Sequence, residues 1–284
     1  MIVAAIQAAA AAVLAWASLG FLPRVLPTPR TANYRGAAIP VSLGMALAFA
    51  LAVTLLASQG ADAIAGRATP SSRFWLAALV LAVFAAGFVD DRQPRRIRGA
   101  RTHLQELVHG RVTTGIVKLA VFVAAAAVWT ALATSGSFPR ILLGTPVIAG
   151  TANLWNLLDV APGRALKAGL VAAGAILAVA VTGAAAMALG ATAALLPFDL
   201  RERAMLGDSG ANVLGFVLGV ELYGRLSTPR LAVSLAAVLA LHLVADTVTF
   251  SRIIRAVSPL RWFDGLGRIR GAPDPENSRK SGDS

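Results

Sequence analysis

The chain is expected to be an all-α protein that crosses a membrane about nine times. Three observations predict it: 57% of its 284 residues are hydrophobic, only 14% are charged, and mean hydropathy is +0.70. Soluble domains carry about a quarter charged residues and just under half apolar ones. So much apolar surface exceeds what one globular core of this length can bury, and lipid is its natural solvent. There is no cysteine, which excludes disulfides and thiolate metal sites.

A spanning helix needs roughly 20 mostly apolar residues. Stretches that meet or approach this are 2–22, 38–58, 73–89, 112–133, 139–158, 164–182, 184–197, 209–224 and 229–250. The first lacks a basic leader and is long for a signal peptide, so it reads as a retained helix. The pair around Thr182-Gly183 is also compatible with one long helix and a re-entrant piece. Residues 1–270 read as one transmembrane domain, and the Pro- and Ser-rich, charged stretch 271–284 as a disordered tail.

The basic residues set the orientation. Alternate loops and the tail hold 20 of the 26 Lys and Arg residues, in groups of three, six, two, two and seven; the opposite loops hold five. Lys118 alone lies well inside a span. This positive-inside bias predicts an external N-terminus and a cytoplasmic C-terminus in the plasma membrane. A net charge of +12 would raise nucleic-acid binding in a soluble protein, but here the loop asymmetry accounts for the charge, and no nucleic-acid partner is expected.

The acids cluster on the basic side. Asp90 and Asp91 end the third helix (GFVDD), Asp159 ends the fifth (NLWNLLD), Asp208 opens the eighth (LGDSGAN), and Asp246 lies near the inner end of the ninth. Each has a plainer reading. Asp208 or Ser209 can cap a helix, Asp90-Asp91 can pair with Arg92, Asp159 can be a solvated helix end, and Asp246 can form a buried pair with His242. Ionisable groups at membrane depth are costly and usually functional, however, and Asn153, Asn156 and Asn212 lie among them. Carboxylates, arginines and an exposed helix N-terminus suit Mg²⁺-assisted phosphoryl-group transfer at a membrane surface. Adjacent residues on a helix point about 100° apart, so one of Asp90 and Asp91 is expected to ligate; Asp91 and Asp208 are assigned to the metal, and Asp90 to the lipid phosphate. A transporter would place charges or broken helices near the membrane midplane. The aspartate runs of CDP-alcohol phosphotransferases and of UbiA-type prenyltransferases are absent.

The set resembles the polyprenyl-phosphate N-acetylhexosamine-1-phosphate transferases, a family of glycosyltransferase family 4 type that includes phospho-MurNAc-pentapeptide translocases. The motif order matches along nearly the whole chain: Pro29-Arg30 to Ile39-Pro40, Gly44, GFVDD at 87–91, Lys118, ANLWNLLD at 152–159, LGDSGAN at 206–212, and Asp246 to Pro259. The resemblance implies that a polyprenyl (undecaprenyl) phosphate attacks the β-phosphorus of a UDP-amino sugar, releasing UMP, with Mg²⁺ as cofactor and Mn²⁺ as the alternative metal. It implies cell-envelope glycan synthesis, membrane lipids as surroundings, and a homodimer as one assembly. Asp90, Asp91, Asp159 and Asp208 carry over as catalytic residues, with Lys118, Asn153, Asn156 and Asn212 as substrate-binding ones. Two departures stand out. Pro162 replaces a second acid after Asp159, and the last loop, SPLRWFDGLGRIR, lacks the family's histidine cluster. Arg261, Trp262, Arg268 and Arg270 are its candidates for donor recognition, by bidentate phosphate contact and stacking; membrane anchoring is the other reading. A catalytically divergent member that binds a polyprenyl phosphate as a sensor is the alternative function.

Overall fold

The computed structural model describes residues 1–33, 35–67, 71–93, 105–106, 108–133 and 137–269. The expected tail at 271–284, Arg270, and Arg95 to Arg101 of the arginine-rich loop lie outside the described residues.

Among the described residues the protein is all-α apart from one hairpin and an isolated bridge between Val41 and Met205. In chain order the elements are α1 (Ile2–Ser18), α2 (Leu22–Val25), β1 (Arg30–Ala32), β2 (Ala38–Pro40), α3 (Leu43–Ile64), α4 (Ser72–Arg92) and α5 (Thr114–Ala133). There follow α6 (Phe138–Leu158), α7 (Arg164–Val179), α8 (Gly183–Leu200), α9 (Gly207–Tyr223), α10 (Thr228–Thr247), α11 (Phe250–Ala256) and α12 (Ser258–Gly265). Among the described residues, α3, α4, α5, α6, α8 and α10 are long and apolar enough to cross a membrane, and α1 is a shorter apolar helix. Proline opens α2, α6, α10 and α12, where its missing N–H costs no helical bond.

One boundary differs from the sequence reading, and one alternative is settled. The stretch expected to begin a helix at residue 38 begins as a strand, paired antiparallel from Arg30↔Pro40 to Ala32↔Ala38. The cause is local turn chemistry. Asn33 Oδ1 accepts the N–H groups of Arg35 and Ala37 at 2.9 Å each, and Gly36 takes φ +78°. A side-chain amide that holds its own turn competes with helix. Around Thr182, α7 and α8 are separate helices, as the spans 164–182 and 184–197 anticipate, because Ala180 and Thr182 are extended.

The centre of the bundle is α9, with 15 of its 17 residues buried. It packs on α3, α4 and α6, while α1 packs on α8 and α10 on α6. Backbones come close enough to forbid a Cβ: one on Gly87 would stand 2.6 Å from Ser209 Cα, and one on Gly210 2.5 Å from Gly44 Cα. Gly215 does the same against the Thr151 carbonyl of α6 and Gly219 lies tight on Ile148, the small-xxx-small arrangement that lets helices approach in lipid. These contacts fix the depth of α9 against its neighbours, and with it the position of Asp208.

Candidate active site

Four helix ends meet at one end of the bundle: the C-termini of α4 and α6 and the N-termini of α5 and α9. The Lys118 ammonium joins them. It donates to Asp90 Oδ2 at 2.7 Å and to Asp208 Oδ2 at 2.5 Å. Thr114, one turn before Lys118 on α5, donates to Asp90 Oδ1 at 2.7 Å. Asn156 Nδ2 lies 3.4 Å from Asp208 Oδ2, and Asn212 Nδ2 donates to the Asp208 carbonyl at 2.6 Å. Lys118 and Asp208 are buried. Two carboxylates against one ammonium leave this pocket with a surplus negative charge in a medium that penalises it.

Asp91 is engaged differently. Its Oδ1 accepts the Asp208 N–H at 2.9 Å and its Oδ2 the Ser209 N–H at 3.0 Å. Thus α9 is capped from another helix, through two of the first-turn donors that a helix leaves unpaired, and the carboxylate sits at the positive end of the helix dipole. Gly207 makes the approach workable. It takes φ +72°, and a Cβ there would lie 2.9 Å from Asp91 Oδ2. The acid that shares a cation with Asp208 is therefore Asp90, whereas the sequence pairs Asp91 with Asp208 for the metal. The 100° step between neighbours on a helix separates the two roles, and packing turns Asp91 toward α9. Arg92, the ion-pair alternative, donates instead to Pro27 O at 2.6 Å and stacks over Phe88.

Asp159 follows α6 at the rim of the cluster. Desolvation first, then the negative charges of Asp199, Asp208 and Asp91, push its carboxyl well above the ordinary range, although the Gly207 N–H opposes this. Asn153 bonds His242 Nε2 at 3.0 Å, and His242 Nδ1 lies 2.8 Å from Val238 O. The expected His242–Asp246 pair is thus replaced by a His242–Asn153 contact between α10 and α6, and Asp246 is exposed.

The last segment joins a second cluster. Arg164 on α7 holds Asp264 with two bonds, 2.9 and 3.0 Å, and donates to Ser251 Oγ at 2.8 Å. Lys167 donates to the carbonyls of Phe263, Asp264 and Leu266. Arg268 bonds Asp264 Oδ1 at 2.6 Å and the Pro162 carbonyl at 3.0 Å. Burial favours a proton on Asp264, but Arg164 outweighs it, with help from Arg268 and Lys167, and holds the carboxyl below its usual value. Arg261 donates to Arg255 O and Ser258 Oγ, and Trp262 is 68% exposed. So Arg268 ties the segment to the turn after Asp159, and Trp262 points away from that tie.

Sequence reasoning missed Thr114, Asp199, Asp264 and the clamp on it. Thr114 stands four residues before Lys118, one helical turn, which is a readable signal. Asp199 is 4% exposed near the end of α8, and it accepts the Gly163 N–H at 2.8 Å; an acid in an apolar stretch was its signal. Asp264 gave none, because its partner Arg164 is 100 residues away.

The donor set fits a hard divalent cation. Among the described residues no group of three or more His, Cys, Asp or Glu could hold a metal, yet Asp90 and Asp208 already clasp one cation, the Lys118 ammonium. Mg²⁺ takes one or two carboxylates and completes its shell with water and substrate phosphate.

No curated protein matches the chain. A family model described as glycosyl transferase family 4 matches residues 73–223, from α4 through α9. That span contains Asp90, Asp91, Lys118, Asn153, Asn156, Asp159, Asp208 and Asn212, and stops short of the last segment. The chain, with its helical membrane bundle and its acidic end, belongs to glycosyl transferase family 4.

Proposed function

We propose that this transferase moves a sugar-1-phosphate from a UDP-amino sugar to a polyprenyl phosphate. An oxygen of the lipid phosphate bonds to the β-phosphorus, the bond to the bridging oxygen breaks, and its electrons leave with UMP. The product is a lipid-diphosphate-sugar, the kind of precursor from which cell-envelope glycans such as peptidoglycan are built. The observation that carries the reading is the clasp of Asp90 and Asp208 on a single cation at a junction of four helix ends.

In this reading Asp90 and Asp208 hold Mg²⁺, which neutralises phosphate charge and eases departure of the leaving phosphate. Mn²⁺ satisfies the same oxygen donors. Lys118 supplies this chain's own cation for a phosphate oxygen, and Thr114 holds the second oxygen of Asp90 in place. Asp91 keeps the first turn of α9 where Asp208 needs it. Asn156 and Asn212 orient Asp208 through its carboxylate and its carbonyl, and Asn153, set by His242, lies three residues from Asn156 on the same face of α6. Arg268 acts as a positioning residue for the turn after Asp159.

The test is UMP release by the purified protein with a short polyprenyl phosphate, Mg²⁺ and a panel of UDP-sugars. Release is expected to require the acceptor, to stop with a chelator, and to fall by orders of magnitude in Asp208→Asn. A protein that binds polyprenyl phosphate yet releases no UMP from any donor is a divergent lipid-phosphate binder, and that result overturns the enzymatic reading.

A further inference from the structure

Helix α12 fastens an aspartate to the protein and leaves apolar side chains exposed. At about 100° per residue, Asp264 and Trp262 point about 160° apart. Asp264 is the buried side, 9% exposed and bound by Arg164 and Arg268. Leu260, Trp262 and Phe263 are exposed, and Leu266 and Ile269 continue the apolar surface just beyond the helix. Asp264 is thus fastened to the protein, Trp262 faces outward on the opposite side, and Leu260 and Phe263 are exposed at the edges of the helix. Exposed arginines flank it, Arg252 on α11 and Arg261 on α12. Four arginines against one aspartate give residues 250–269 a net charge of +3, and that aspartate is already engaged inside the fold.

We propose that α12 is a membrane-surface helix that docks on anionic phospholipid. Its Trp262 side chain enters the headgroup boundary of the leaflet at the acid-bearing end, with Leu260 and Phe263 at the edges of the contact, and Arg252 and Arg261 meet lipid phosphates. A short, charged helix with a large aromatic on its apolar side is the type that lies in an interface. Tryptophan favours that depth, with its ring apolar and its N–H wet. Each arginine near an anionic surface adds about 1 kcal/mol, so two are worth roughly thirtyfold in the insertion equilibrium. This gives Arg261 and Trp262 a partner other than the sugar nucleotide, and it stands independently of the proposed reaction.

The absence of cysteine makes the test clean. The full chain carrying Leu260→Cys is labelled with an environment-sensitive fluorophore and placed in nanodiscs of phosphatidylcholine with or without phosphatidylglycerol. Shallow nitroxide lipids are expected to quench the label, and more strongly with phosphatidylglycerol. Arg252→Gln with Arg261→Gln is expected to remove the dependence on phosphatidylglycerol. A label that emits as if in water in every bilayer overturns the proposal. So does a label that is shielded from water but beyond reach of the nitroxides, which means that protein covers the helix. Quenching that ignores lipid charge, in the parent and the double variant alike, overturns the anionic part. The readout needs no turnover, so it fails or succeeds separately from the transferase reading.

Discussion

Lys118 and Asp208, 90 residues apart in the chain, meet at 2.5 Å, and Asp90 shares the same ammonium at 2.7 Å. An ammonium inside the bundle thus stands where a divalent cation is expected. Replacing it with an apolar side chain leaves the buried Asp208 and the half-buried Asp90 without their counter-charge, a loss of roughly 3–5 kcal/mol. Lys118→Met is therefore expected to melt well below the parent. Millimolar Mg²⁺ should recover much of the difference while moving the parent far less. Thermal melts with and without the metal decide this, and equal Mg²⁺ responses would show that the metal and the lysine do not share a site.

The neighbouring aspartates should separate experimentally. Asp90→Asn removes charge from the proposed metal pair, so Mg²⁺ affinity and turnover fall by orders of magnitude with little change in melting. Asp91→Asn keeps one acceptor oxygen for two backbone N–H groups, which costs about 1–2 kcal/mol at the start of α9. Calorimetric titration of Mg²⁺ beside thermal melts separates the two, and the reverse pattern would return the metal to Asp91.

Gly207→Ala should be costly out of proportion to one methyl group. Its φ of +72° imposes about 1–2 kcal/mol on an L-residue, and the added Cβ meets Val41 and Asp91. Gly174→Ala on α7 has open space around it and is expected to gain up to about 1 kcal/mol from helix propensity. Paired melts of the two variants test this, with activity as a second readout for position 207.

The Asp264 clamp predicts an acid limit. Because the folded-state pKa of Asp264 is lowered, its contribution is complete above the unfolded value near 3.9 and is lost as pH falls through the lower folded value. Between pH 5 and 7 the Asp264 carboxylate stays ionised, and its part of the clamp should not vary. Asp264→Asn is expected to loosen residues 250–269 at every pH, seen as faster amide exchange there. Protection that survives in this variant would place the hold elsewhere, on the Lys167 contacts to backbone carbonyls.

What was readable in the sequence follows a physical boundary. The apolar runs placed the helices to within a few residues, since twenty residues of hydropathy are a local signal. The motif order pointed to Asp90, Lys118, Asn156 and Asp208 as neighbours, and the structure brings those four together. Neither periodicity nor motif said that Asp91 turns to the N–H groups of α9, because that depends on how deep α4 sits against Gly207. Strand β2 was hidden because Ala38, Ile39 and Pro40 are as apolar as the helix that follows. The His242–Asn153 contact and the Asp264 clamp join residues 89 and 100 positions apart, and nothing in either local stretch marks its partner.

The assembly of the clasp also sets an order in time. During synthesis Asp90 and Lys118 emerge 28 residues apart and can neutralise each other as soon as α5 follows α4. Asp208 comes 90 residues after Lys118, once α6, α7 and α8 have been made. Until then the chain holds a neutral ion pair and lacks the second carboxylate that gives the pocket its surplus negative charge. The growing protein therefore passes through most of its membrane insertion without the pair of carboxylates proposed to hold the metal, and gains it only when its central helix arrives.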